Sequence, residues 1–207
     1  MKNLPLKNIF IPSKIASKKI MIILHGRGDS AEGFTWLPPY FRFDDMNYLL
    51  LYAPYDYFGG YSWYDLDPNQ LPGIKHSSTI LTEVFDTIFE KDFNISESFL
   101  FGFSQGSLLA FEFGARYRSV MAGYIAVSGF IYDPKLLLSE MNPKLKNANW
   151  LCIHGTQDEV LSYEASKSQV ELLQDNGFQI TFKSYNKTHT IIEKELEMIK
   201  SWINDRS

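Results

Sequence analysis

With 207 residues, of which 45% are hydrophobic and 21% charged, the chain has the composition of an ordinary globular protein, and we expect one domain over residues 1–207. The formal net charge of −4 argues against a nucleic-acid or anionic-membrane partner, and no apolar run suits a transmembrane helix or a secretory signal, so stable membrane insertion is not expected. The lone Cys152 cannot form an internal disulfide, which favours a cytoplasmic location.

Strand-like and helical patterns alternate along the chain. Runs of strand character, several of them continuously apolar, cover residues 6–11, 19–24, 48–53, 97–101, 121–127, 149–154 and 178–184. Helical periodicity covers residues 77–91, 105–117, 133–141, 163–175 and 191–203. This alternation predicts an α/β fold with a mostly parallel central sheet and helices on both faces. Residues 55–72, rich in aromatics, glycine and proline, show no period and are predicted to form a long loop.

The turn between the fourth predicted strand and the next helix carries the motif G-x-S-x-G. A nucleophile elbow requires this motif in a strand–turn–helix context, because the turn presents the serine hydroxyl above the end of the sheet. Such a tight turn leaves no room for side chains at Gly102 and Gly106. Ser104 is therefore the candidate nucleophile, although the motif alone also fits an ordinary serine in a glycine-bounded turn.

A serine hydroxyl needs a base to remove its proton, and the base needs an acid to orient it. Two histidines follow Ser104: His154 ends a predicted strand, whereas His189 lies in the loop beyond the last strand, where parallel sheets place active sites. We predict His189 as the base, in the chain order serine, acid, histidine of α/β-hydrolases. Asp158, in the loop after the sixth predicted strand, is the predicted acid, with Asp133 as its main rival.

An oxyanion hole needs two preorganised N–H donors. The backbone N–H of Gln105, directly after the serine, is the first, and its side chain is expected to matter less than its position. The second is assigned to the Arg27 amide in a glycine-rich loop, where the guanidinium either contacts substrate or is solvated. That loop lacks a phosphate-binding pattern, and no Cys/His cluster or H-E-x-x-H motif is present, so we predict no metal ion and no cofactor.

These residues give the chain a resemblance to the phospholipase/carboxylesterase family of α/β-hydrolases, which includes the acyl-protein thioesterases. The matching segments are Leu-His-Gly-Arg-Gly-Asp at 24–29, Gly-Phe-Ser-Gln-Gly at 102–106 and His-Gly-Thr-Gln-Asp at 154–158, with His189 downstream. Gly-Ile-Lys at 73–75 also looks like the family's lead-in to a helix. The similarity extends over nearly the whole chain in family order, which is more specific than any single motif.

The resemblance implies an α/β-hydrolase fold without a large lid and hydrolysis of carboxylic esters or thioesters. It implies these roles for the same residues: Ser104, Asp158 and His189 as the triad, with the amides of Arg27 and Gln105 as oxyanion donors. Ser107 and Thr188 stand where glycine is common in the family, and residues 159–162 replace a proline-valine run. These departures leave every reacting group in place, so they bear on substrate preference.

Aromatic residues cluster before and after the second central strand. They either pack in the core or line an apolar pocket for an acyl chain. On the second interpretation we predict substrate contacts from Trp63, Tyr64 and Leu71, and a short- to medium-chain acyl substrate that is a small molecule or an acylated protein. A peptidase or amidase with the same triad and a non-catalytic binding protein of this fold are alternatives, and the oligomeric state is open, a homodimer included.

Overall fold

The computed structural model describes residue 1 and residues 3–206. Its strands are β1 (Asn8–Ile11), β2 (Ile20–Leu24), β3 (Asn47–Leu51), β4 (Tyr55–Tyr57), β5 (Gly60–Ser62), β6 (Phe99–Phe103), β7 (Gly123–Val127), β8 (Trp150–Gly155) and β9 (Ile180–Tyr185). One sheet has the order β1-β3-β2-β6-β7-β8-β9, and β4 and β5 form a separate hairpin. Only β1, at the edge of the large sheet, is antiparallel to its neighbour. The predicted parallel sheet is confirmed.

Helices cover both faces of this sheet. They are α1 (Leu37–Phe41), α2 (Gln70–Lys91), α3 (Gln105–Gly114), α4 (Pro134–Glu140), α5 (Tyr163–Asp175) and α6 (Glu193–Asn204). Successive residues of a strand point to opposite faces. Ile22 and Leu49 therefore join one buried cluster with residues of α2, α3, α4 and α5, whereas Ile23 and Leu50 join another with residues of α1 and α6. Burial on both faces explains why these strands are continuously apolar.

The prediction of a long loop over 55–72 was wrong in two respects. The β4–β5 hairpin lies within it, and its three-residue strands are too short to show an alternating pattern. Helix α2 begins at Gln70 rather than at residue 77, so Pro72 and Gly73 lie inside its first turn. Proline is tolerated there because the first turn of a helix has no intrahelical use for its N–H groups.

The longest connection between two strands of the large sheet, residues 52–98, contains this hairpin and α2. No lid domain is inserted anywhere in the described residues, which agrees with the predicted fold. Within residues 1 and 3–206, none of the helices combines the length and apolarity that crossing a membrane would need.

Candidate active site

The carboxyl ends of the parallel strands meet at one edge of the sheet, and the predicted site residues lie in the loops there. Ser104 follows β6, Asp158 follows β8 and His189 follows β9, while Arg27 lies in the loop after β2. Because β6, β7, β8 and β9 are neighbours in the sheet, these loops are adjacent in space although they are far apart in the chain. Open parallel sheets bind ligands at this edge.

Ser104 occupies a strained turn between β6 and α3, with φ 54° and ψ −114°. Its N–H donates to the carbonyl of Val127 at 3.0 Å. Glycine is required on either side, because a Cβ at Gly102 would lie 2.1 Å from the oxygen of Gly106, and one at Gly106 would lie 2.2 Å from the oxygen of Leu24. The close packing keeps the serine in its strained conformation, at the first turn of α3.

Three side chains form a continuous hydrogen-bonded chain at this edge. Nε2 of His189 lies 2.9 Å from Oγ of Ser104, and Nδ1 of the same ring lies 2.7 Å from Oδ2 of Asp158. The Asp158 side chain is fully buried, and that of His189 is 16% exposed. The structure thus brings together the three residues predicted as a triad. A base that contacts the hydroxyl, with an acid on its far nitrogen, can activate a serine nucleophile.

Hydrogen bonds keep the Asp158 carboxylate ionised. Burial by itself raises the pKa of this carboxyl, but the N–H of Leu161, His189 and the N–H of Val160 together hold the pKa below its ordinary value. The two N–H groups donate to Oδ1 at 2.8 and 2.9 Å. An ionised Asp158 only accepts hydrogen bonds, so Nδ1 of His189 carries the proton and Nε2 is left to accept one from Ser104.

Asp133, the alternative candidate for the acid, has a structural role elsewhere. It is the N-cap of α4, and its Oδ1 accepts the N–H groups of Lys135 and Leu136, both at 3.0 Å. A carboxylate in this position satisfies N–H groups that the first turn of a helix leaves free. Asp133 therefore contributes to a helix end, and His189 bonds to Asp158.

The rejected histidine, His154, contacts the acid, which the sequence reasoning missed. His154 is buried at the end of β8, with Nε2 3.1 Å from the carbonyl oxygen of Leu161 and 3.3 Å from Oδ2 of Asp158. Burial lowers the pKa of His154. Since the carbonyl oxygen can only accept, Nε2 carries the proton of the neutral ring. His154 therefore helps to hold the loop that carries Asp158.

The loop after β2 runs beside the nucleophile. A Cβ at Gly26 would lie 3.3 Å from Cβ of Ser104. His25 fixes this loop: its Nδ1 lies 2.6 Å from the oxygen of Gly26, and its Nε2 accepts the N–H of Ala53 at 3.1 Å. Burial lowers the pKa of His25, in keeping with a neutral ring that donates at one nitrogen and accepts at the other.

Arg27 follows Gly26 in this loop. Its guanidinium stacks 4.1 Å from the centre of the Tyr57 ring in the β4–β5 hairpin, so the side chain is partly covered rather than freely solvated. Its Nε is buried and has no hydrogen-bond partner among the described residues. The neighbouring Gly28 donates its N–H to the carbonyl of Tyr61 at 2.8 Å. The hairpin therefore supports both the backbone and the side chain at this position.

Gln105 is the first residue of α3, where backbone N–H groups lack intrahelical partners. Its side chain is buried and hydrogen-bonded to the segment after β5. Oε1 accepts the N–H of Trp63 at 2.9 Å and the hydroxyl of Ser62 at 3.1 Å, and Nε2 donates to the carbonyl of Tyr64 at 2.8 Å. These bonds tie the chain after β5 to the elbow, and the expectation that the position of Gln105 matters more than its side chain stays a prediction.

Trp63 and Tyr64 are buried, which conflicts with their prediction as substrate contacts. Their exposed fractions are 0% and 1%, and Nε1 of Trp63 donates to the carbonyl of His25 at 2.9 Å. Side chains without accessible surface cannot line an open groove, and these two support the loop after β2 instead. Leu71, in the first turn of α2, is half-buried and stays a prediction.

A model of the family described as Phospholipase/Carboxylesterase matches residues 7–207. The chain belongs to this family. Acyl-protein thioesterase 1 of Debaryomyces hansenii is 27% identical over 212 aligned positions, which cover 91% of each chain. Carboxylesterase SOBER1 of Arabidopsis thaliana is 26% identical, over 92% of this chain and 91% of its own.

Solved structures of esterases have the same fold as this chain. The crystal structure of esterase PE8 superposes with a TM-score of 0.89 at 25% identity, over 98% of this chain and 99% of that one. The crystal structure of SOBER1 gives a TM-score of 0.83 at 25% identity. As a member of this family, the chain is an α/β-hydrolase of the carboxylesterase and thioesterase type.

Proposed function

We propose that this protein hydrolyses carboxylic esters or thioesters through an acyl-enzyme formed on Ser104. The observation that carries the proposal is the continuous hydrogen-bonded chain from Oγ of Ser104 through His189 to Asp158. Family membership supports it, as do relatives named acyl-protein thioesterase and carboxylesterase. Ester or thioester groups of small molecules or acylated proteins are the proposed substrates.

In the proposed acylation step, Nε2 of His189 accepts the Ser104 proton while Oγ attacks the acyl carbon. Asp158 stabilises the resulting imidazolium through the Nδ1–H bond and keeps the ring in the required orientation. The same Nε2 then donates its proton to the leaving alcohol or thiol, whose bond to the acyl carbon breaks. The acyl group is left on Oγ.

The negative charge that develops on the carbonyl oxygen is assigned to two backbone donors, the N–H groups of Gln105 and Arg27. Gln105 begins α3, whose N-terminal N–H groups and positive dipole end favour an anion. Arg27 lies in the loop that His25 holds beside Ser104. Donors fixed before the reaction stabilise the transition state without a cost of reorganisation.

Deacylation reverses the roles. His189, neutral again, accepts a proton from a water molecule at Nε2 as the water oxygen attacks the acyl carbon. The ester bond to Ser104 breaks, Oγ takes the proton back from Nε2, and the carboxylic acid leaves. His189 thus acts as base and acid in both steps, while the protein residues end as they began.

For the acyl part of the substrate we propose a short to medium chain. The cavity between α3 and α5, lined by Ser107, Gly129 and Ser166 among others, measures about 10 Å³, which is room for a water molecule rather than an acyl chain. The β4–β5 hairpin instead presents Phe58, 95% exposed, next to Tyr57, on which Arg27 stacks. We assign the acyl chain to this open apolar surface.

Rates on p-nitrophenyl esters of increasing length test the acyl assignment. The value of kcat/KM should be highest for chains longer than acetate and should decline for the longest. Phe58→Ser should lower kcat/KM for the longer esters and leave acetate unchanged, whereas Ile15→Ser, an exposed residue on a different loop, should change neither. A preference for acetate over every longer ester would contradict the assignment.

Fluorophosphonate labelling tests the nucleophile. Wild-type protein should be labelled on the peptide that contains Ser104, and Ser104→Ala should not be labelled. A folded wild-type protein that fails to react, or that reacts at another serine, would overturn the proposal.

A cytoplasmic location is part of the proposal. The free thiol of Cys152 is buried, and burial raises its pKa, so the chain uses its single cysteine as an apolar core residue, as a reducing compartment permits. Fractionation of cells that express the tagged chain should recover it with the cytosol. Recovery from membranes or medium would contradict this location.

A further inference from the structure

A buried ion pair lies next to the catalytic histidine. Nζ of Lys187 is 2.7 Å from Oε2 and 3.0 Å from Oε1 of Glu195, and the two side chains are 1% and 0% exposed. Lysine and glutamate are rarely buried to this extent. A buried pair of this kind often stabilises a protein no more than apolar residues of the same volume would, so stability alone does not account for it.

The ammonium group of Lys187 holds the turn that carries His189. Besides Glu195, Nζ donates to the carbonyl of Thr190 at 2.5 Å, and Thr190 directly follows His189. The N–H of Thr190 donates to the carbonyl of Thr188 at 2.8 Å, so the turn is closed on both sides of the histidine. The turn thus begins at the backbone of Lys187, and the side chain of the same residue holds its end at Thr190.

The same lysine connects this turn to the loop after β7 and to the loop that carries Asp158. Nζ donates to Oγ of Ser128 at 3.1 Å, and Ser128 follows Val127, whose carbonyl accepts the N–H of Ser104. The backbone carbonyl of Lys187 accepts the N–H of Gln157 at 3.1 Å, next to the predicted acid in the chain. One residue therefore contacts the nucleophile's support, the acid loop and the histidine turn.

The approach of the acid loop to this turn is very close. A Cβ at Gly155 would lie 2.3 Å from the carbonyl oxygen of Lys187. Glu195, in turn, accepts the N–H of Ile192 at 3.1 Å and so caps the start of α6. Because Glu195 is held by its own helix, it is a fixed anchor for the lysine.

We propose that Lys187 is a positioning residue: its ammonium group, neutralised by Glu195, holds the 187–190 turn so that Nε2 of His189 stays within hydrogen-bond distance of Ser104. This inference rests on the proposed hydrolysis through Ser104. The lysine does not touch substrate. It acts through the carbonyl of Thr190 and the hydroxyl of Ser128, contacts that an apolar side chain cannot replace.

The test separates positioning from stability. Lys187→Met removes the ammonium group, and Lys187→Met/Glu195→Gln also removes the buried carboxylate while an amide oxygen remains to cap Ile192. Because no charge is then left unpaired, the double variant should regain most of the thermal stability that the single variant loses. It also provides a folded protein if the single variant does not fold. Lys183→Met, an exposed lysine on β9, is the matched control.

We expect kcat on p-nitrophenyl acetate to fall at least tenfold in both Lys187 variants with KM within twofold of wild type, and to stay unchanged in Lys183→Met. A double variant with wild-type stability and wild-type kcat would overturn the inference, as would a loss confined to KM, because misplacement of His189 affects the chemical step. Ser104→Ala is measured alongside. If it keeps full activity, the proposed function itself fails, whereas an inactive Ser104→Ala beside a fully active double variant rejects only the role of Lys187.

Discussion

Nε2 of His154 lies 3.3 Å from Oδ2 of Asp158, the same carboxylate oxygen that bonds to His189 at 2.7 Å. Two histidines therefore share one oxygen of the acid: His154 is neutral and buried at a strand end, and His189 is partly exposed. Only His189 also reaches Ser104. The contact between His154 and Asp158 supports the acid, whereas the contact between His189 and Asp158 takes part in the proposed chemistry.

Replacing His154 should weaken catalysis without abolishing it. His154→Ala removes the N–H that the carbonyl of Leu161 accepts, so the acid loop loses a buried bond. A hydrogen bond between neutral groups is worth about 0.5–1.5 kcal/mol, so if the whole of it serves to place Asp158 we expect kcat/KM on p-nitrophenyl acetate to fall by up to about tenfold. His76→Ala, an exposed histidine on α2, should behave as wild type. Equal values of kcat/KM for His154→Ala and wild type would show that the contacts of His154 with the acid loop do not affect catalysis.

The acid should be identifiable by exchange of aspartate for asparagine. Asp158→Asn can donate to Nδ1 of His189 and would impose the wrong tautomer, so kcat should fall on the order of a thousandfold or more. Asp133→Asn should leave kcat near wild type, because asparagine also caps a helix. A collapse of kcat in Asp133→Asn, with Asp158→Asn active, would reverse the assignment.

The buried His25 should make folding stability depend on pH. Burial lowers the pKa of His25 from the ordinary value of 6.5. Below about pH 6.5, His25 therefore binds a proton in the unfolded chain but stays neutral in the folded chain. The contribution of the neutral His25 to the free energy of unfolding is therefore fully present above pH 6.5. It decreases as the pH falls, by up to about 1.4 kcal/mol per pH unit. The free energy of unfolding in urea should thus drop less between pH 7.5 and 5.5 in His25→Asn than in wild type. Identical slopes for the two proteins would contradict a neutral buried His25.

Gln105 offers a test of the link between the elbow and the segment after β5. Gln105→Ala keeps the backbone N–H but leaves the buried N–H of Trp63 without its partner, while the carbonyl of Tyr64 keeps only the hydroxyl of Ser62. An unsatisfied buried N–H costs about 1–3 kcal/mol, so the free energy of unfolding should fall by about that amount. Gln179→Ala, at an exposed position, is the control. A Gln105→Ala protein as stable as wild type would show that these bonds are dispensable.

The sequence predicted the parallel sheet because strands buried on both faces, such as residues 19–24, read as unbroken apolar runs. It also placed Ser104, Asp158 and His189 at one edge, since each lies in the connection that follows a strand and the carboxyl ends of parallel strands coincide. These inferences need only local pattern and the geometry of the fold. They failed at the β4–β5 hairpin, where three-residue strands carry no periodicity.

The side chains that support the triad were not predicted from the sequence. Trp63 reads equally as a core or a pocket residue, and only its hydrogen bond to the carbonyl of His25 shows that it supports a loop. The His154–Asp158 contact depends on the path of the loop after β8. A lysine is normally exposed, so nothing in the residue pattern indicates the burial of Lys187.

The most direct test of the account is to trap the covalent intermediate. Wild-type protein is mixed rapidly with p-nitrophenyl acetate and quenched in acid, and the peptides are analysed by mass spectrometry, with Ser104→Ala and His189→Gln as comparisons. We expect a burst of p-nitrophenol of at most one equivalent per chain and an acetyl group on the peptide that contains Ser104. Neither signal should appear in Ser104→Ala, nor on the same timescale in His189→Gln. Turnover of the ester by wild type with an equal burst from Ser104→Ala, or with the acetyl group on another residue, would contradict it.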